Sequence, residues 1–100
     1  MTQKLHEGSV YSFKLNNRDE IIAKVSKNDD DSVWVDKPVI LMITPEGPQM
    51  IPMLLTTEEE VFPLQWTGIL TYGKTKSDAE TAYIRTVTGI VAPTKKIITG

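Results

Sequence analysis

The side chains that could do chemistry are few in this chain and lie far apart. His6 is the single histidine and cysteine is absent. A nucleophile paired with a base, a thiolate zinc site and a disulfide framework are therefore out of reach within this sequence. His6 itself stands in a polar start, Met1 to Glu7, where a solvated imidazole is the expectation. Two carboxylate runs, Asn28-Asp29-Asp30-Asp31 and Glu58-Glu59-Glu60, offer clustered oxygens of the kind calcium or magnesium takes. A calcium loop, however, needs alternating ligands, a central glycine and a closing Glu, and neither run has them. Both read as wet connections between strands. None of the H-E-x-x-H, G-x-S-x-G, Walker or G-x-G-x-x-G patterns occurs. The expectation is a binding or assembly module: no catalytic residue, no metal and no cofactor.

Trp66 is the most informative single residue. A large aromatic at a strand junction can stack on a nucleic-acid base, fill a subunit interface or close the end of a small sheet. Lys74, Lys76, Lys95 and Lys96 could touch phosphates, although scattered lysines more commonly solvate a surface.

The elements that must position these residues are strands. Tyr11, Phe13 and Leu15 alternate with Ser12, Lys14 and Asn16, the period of a half-buried strand. Asn16-Asn17-Arg18-Asp19 is turn chemistry, with asparagine suited to positive φ. Glu20 to Lys27 resumes the strand with Ile21, Ala23 and Val25 on one face, so the two runs predict a hairpin. After the Asn28–Asp31 turn, Ser32 to Asp36 predicts a third strand, interrupted at Lys37-Pro38, where proline marks a bulge or an edge. Val39 to Ile43 is apolar at every position, the pattern of a strand covered on both sides.

Thr44-Pro45-Glu46-Gly47-Pro48 predicts a turn and Met50 to Leu55 a return strand. Val61 to Gln65 and Ile69 to Tyr72 predict two short strands split near Trp66-Thr67-Gly68. The pattern then changes to a helix over 77–89. Ser77-Asp78-Ala79-Glu80 reads as a capping box, Ala79, Ala82, Tyr83, Thr86 and Val87 as one stripe, and Gly89 as the C-terminal stop. Residues 1–8 are expected to be mobile and 90–100 to form a tail.

Composition sets the class. A chain of 100 residues with 40% hydrophobic and 24% charged residues is one globular domain, 1–100. The segment Val39 to Leu55 is broken by three prolines and a glycine, too soon for a membrane helix, and no membrane partner is expected. The N-terminal residues lack the apolar stretch of a secretory signal. With no cysteine, a reducing cytoplasm is the expected location. A net charge of −2 argues against binding that rests on phosphates alone.

The hairpin resembles the first motif of the Sm-like (LSm) family. Val10-Tyr11-Ser12-Phe13-Lys14-Leu15 matches its alternating strand and Asn16-Asn17-Arg18-Asp19-Glu20 its turn. Ala23-Lys24-Val25 stands in the Gly-x-Leu place, and Asp29 in that of the loop Asp. Leu64-Gln65-Trp66-Thr67-Gly68-Ile69-Leu70 is similar to a degenerate second motif, with Gln65-Trp66 where Arg-Gly would stand. A helix after the last strand, in place of one before the first, resembles the divergent Sm-like proteins of tailed phages.

The resemblance implies a mainly β fold: a small, strongly bent open β-barrel of five to six strands with a C-terminal α-helix. It implies a homo-oligomeric ring of five to seven subunits, in which the fourth strand of one subunit pairs with the fifth of its neighbour. Val61, Phe62, Leu64, Ile69, Leu70 and Tyr72 would form that interface. Single-stranded RNA is the implied ligand, at Asn28, Asp31, Ser32, Gln65 and Trp66, in host cytoplasm if the chain is phage-encoded. The family's stacking and arginine positions are occupied here by Asp31, Ser32 and Gln65. The alternative is a ring that serves as a phage structural or adaptor protein and binds other proteins.

Overall fold

The computed structural model describes residues 5–88. Six strands precede one helix: β1 Val10–Leu15, β2 Glu20–Asn28, β3 Ser32–Thr44, β4 Gly47–Pro52, β5 Val61–Gln65, β6 Ile69–Lys74 and α1 Ser77–Thr88. A single 3-10 turn, Trp66–Gly68, joins β5 to β6. All pairings are antiparallel, in the order β4-β3-β2-β1-β6, and β5 also pairs with β3. The fold is thus mainly β, one sheet with one helix. Among the described residues β5 and β6 do not pair with each other, so the sheet does not close into a barrel. No helix among them is long and apolar enough to cross a membrane.

The alternation along β1 and β2 builds the main core. Tyr11, Phe13, Ile21, Ala23 and Val25 pack on one face with Val33 and Val35 of β3, and all are buried. Fully burying a side chain such as Phe13 or Ile21 contributes about 1.5–3 kcal/mol. The opposite face carries a smaller core in which Val10, Ile22 and Val39 lie under Tyr83 of α1, flanked by Met50 and Val87. Neighbouring β1 residues Val10 and Tyr11 are therefore both buried, one beneath the helix and one in the main core.

The interruption at Lys37-Pro38 is a bulge within one long strand. Ile22 pairs with Val39 and Lys24 with Asp36, so β3 holds one residue more than β2 across that step. Lys37 takes up the excess at φ 50, a left-handed conformation that costs a non-glycine residue roughly 1–2 kcal/mol. A second shift lies between Val25 and Lys27 in β2, and a third lies opposite Lys14 and Leu15 of β1, where Leu70 is the extra residue of β6. Each bends its strand.

Several expectations are corrected. The return strand is Gly47–Pro52, not Met50 to Leu55: a two-residue connection, Pro45-Glu46, brings Gly47 opposite Thr44, at a φ of 113 that suits glycine. Met42 and Ile43 are 45% and 77% exposed, because the β3–β4 hairpin runs past the core instead of being covered on both sides. In the first turn Arg18, not an asparagine, takes positive φ, while Asn17 receives the Asp19 N–H. The last strand runs on to Lys74.

The helix begins one residue out of phase with a Ser77 capping box. Glu80 N–H donates to Lys76 O, which puts Lys76 at the cap, and the Glu80 carboxylate pairs with Lys74 at 2.9 Å. Residues 5–8 are held where mobility is expected, and residues 1–4 lie outside the described residues. Leu5 is buried in the main core, the Asn28 amide donates to Leu5 O at 3.1 Å, and Gly8 N–H donates to Val25 O. The expected stop at Gly89 and the tail 90–100 lie outside the described residues.

Candidate functional site

The five residues assigned by resemblance to nucleic-acid contact do gather at one corner. Asn28 ends β2 opposite Val33, Ser32 pairs with Gln65 across β3 and β5, and Trp66 N–H donates to Asp31 O at 3.1 Å. Local chemistry fixes the corner. The Asp29 carboxylate accepts the N–H groups of Asp31 and Ser32, each at 2.9 Å, an Asx-type turn. Those two backbone bonds hold the Asp29 carboxyl below the ordinary carboxylate range. The indole N–H of Trp66 donates to Asp29 O at 2.7 Å.

The Trp66 ring packs half-buried against the main core, its centroid 5.7 Å from that of Tyr72. It closes the end of the sheet. The Asn28 side chain bonds Leu5 on both its oxygen and its nitrogen. Ser32 is buried and Gln65 exposed. The polar atoms best placed for a ligand are thus largely engaged inside the protein. The run Asp29 to Asp31 adds negative charge that repels phosphate. Among the described residues no three His, Asp or Glu side chains converge as metal ligands.

The six residues expected at an interface divide into two kinds. Leu64, Ile69 and Tyr72 pack partly against the main core, whereas Leu70 is 64% and Val61 38% exposed. Phe62 is half-buried beside the connection 53–60. Backbone geometry explains how β5 carries a proline. Lys37 N–H donates to Glu60 O and Trp66 N–H to Asp31 O, one bond just before the strand and one just after it. The alternation between these bonded positions turns Phe62 and Leu64 toward β3 and leaves Val61, Pro63 and Gln65 facing outward. Pro63 therefore costs no bond to β3, and the outer edge lacks one donor at that place.

The busiest polar atom lies elsewhere, on Tyr83. Its hydroxyl accepts Lys24 N–H at 3.2 Å and shares its one proton between Asp36 O at 2.8 Å and Lys37 O at 3.0 Å. Burial pushes its pKa up to about 12. The Lys37 ammonium reaches Glu60 at 3.2 Å and Asp36 at 3.5 Å, and the Glu60 contact chiefly raises its pKa. The helical stripe marks Tyr83 as core, but nothing in the sequence links its hydroxyl to a bulge 46 residues earlier. Leu5 gives even less signal, as one apolar residue in a polar start.

The comparisons add no family. Neither a scan against known protein-family models nor a search of curated proteins found a match.

Proposed function

We propose that the chain is a divergent Sm-like subunit that assembles edge to edge into a homo-oligomeric ring, and that the ring binds a protein partner. One observation carries this reading. The strands β5 and β6 end the path β5-β3-β2-β1-β6, pair on one side only among the described residues, and are joined by a three-residue turn. A chain with two such edges turned different ways can join head to tail, and head-to-tail contacts close into rings when the rotation permits. Unpaired edges of this kind need a partner or protection; Val61 and Leu70 are exposed there, and the one charge on either strand is Lys74, paired with Glu80 at the end of β6. The three register shifts are irregularities of the kind that bends strands, which supports a strongly bent open barrel.

A protein partner is favoured over single-stranded RNA by the Trp66 corner, where carboxylates crowd the surface and the indole N–H is already bonded. The test is solution mass. Leu70→Lys should convert the assembly to monomer in light scattering while leaving circular dichroism intact, because Leu70 is 64% exposed in the single chain. An unchanged mass overturns the ring. Saturable, salt-sensitive binding of a single-stranded oligonucleotide by the wild-type ring would restore the RNA reading.

A further inference from the structure

A cleft of about 420 Å³ lies between α1, the root of the β3–β4 hairpin and the connection 53–60. Its floor is apolar, formed by Pro38, Val39, Pro52, Leu54, Phe62 and Val87. One rim is acidic, Glu58-Glu59-Glu60. Glu60 is held by Lys37, but Glu58 and Glu59 form no ion pair among the described residues. Leu54 is 48% exposed at the cleft, an apolar surface that none of the described residues covers fully.

We propose that this cleft is a docking site for a segment of a partner protein that carries apolar side chains next to Lys or Arg. Its volume suits a few side chains and not a folded surface. The floor gives such a segment an apolar seat, and the two uncommitted carboxylates select its charge. An acidic or phosphorylated segment would be repelled by the same rim. The proposal rests on the reading of the chain as a protein-binding module, but not on closure of the ring.

The probe is a synthetic decapeptide of alternating valine and lysine, compared with one of valine and glutamate and read by backbone amide shifts of the full-length protein. The lysine peptide should give saturable shifts centred on Val39, Leu54, Glu58, Glu59 and Val87, and the glutamate peptide none. The double variant E58K/E59K, altered only at exposed loop positions, should bind the lysine peptide about tenfold more weakly. Equal response to both peptides, or no response, overturns the proposal. Shifts centred elsewhere overturn the cleft while leaving the protein-binding reading intact. Binding that appears only in the variant K95S/K96S would mean that the chain's own lysines compete for the rim, and the partner proposal falls. Solution mass, measured separately, reports on the ring alone, so failure of the cleft and failure of the ring are distinguishable.

Discussion

The hydroxyl of Tyr83, on the helix, lies 3.0 Å from the carbonyl oxygen of Lys37, the residue that carries the bulge of β3. The left-handed turn at Lys37 leaves backbone groups that regular pairing does not satisfy, and the phenol serves them in a buried place. The same hydroxyl thereby ties the helix to the bulged strand.

Tyr83→Phe tests that coupling. It removes the acceptor for Lys24 N–H and the donor to Asp36 O and Lys37 O, and should cost about 1–3 kcal/mol in urea unfolding. A loss under about 0.5 kcal/mol would show the hydroxyl to be incidental.

The same residue sets an alkaline limit. Its folded pKa of about 12 stands above the ordinary 10.0, so the folded state keeps the proton after the unfolded state has lost it. Its contribution is complete below pH 10 and is lost as pH rises through about 12. Lys37, also raised, acts in the same direction above 10.5. Stability should fall between pH 10 and 12, and less steeply in Tyr83→Phe. Equal slopes in the two proteins would contradict this.

Arg18 sits at φ 78 in the exposed β1–β2 turn. Arg18→Gly should stabilise by about 0.5–1 kcal/mol, since glycine takes that conformation without a Cβ penalty. A drop in thermal midpoint would count against the turn as described.

Trp66→Phe keeps an aromatic ring but loses the donation to Asp29 O. The expected cost is about 1–2 kcal/mol of stability with no change in assembly mass. An unchanged midpoint would leave the indole available for a ligand.

Pro63→Val restores a donor on the outward edge of β5. Self-association should strengthen, seen as a larger mass at low protein concentration by sedimentation. Loss of folding instead would mean that position 63 faces β3.

The strands are legible in the sequence where apolar alternation meets a covered face, as at Tyr11, Phe13, Ile21, Ala23 and Val25. The pattern misleads where apolar residues occur without cover: Met42 and Ile43 look like buried strand but lie on a protruding hairpin. Motif position alone groups the corner residues Asn28, Asp31, Ser32, Gln65 and Trp66. Their hydrogen bonds are not legible, because Trp66 Nε1 to Asp29 O and Asn28 to Leu5 join positions 37 and 23 residues apart. Tyr83 illustrates the same limit. Periodicity places a side chain on a face, and only the assembled chain says which carbonyl its polar end meets.

The bulge at Lys37 also divides β3 into two jobs. Residues 32–36 pair with β5 within the main core, whereas 39–44 pair with β4 and run out beyond it. The tip at Pro45-Glu46 is thus remote from the buried residues. A fluorophore or a purification handle inserted there should leave the packing of both cores in the folded chain undisturbed.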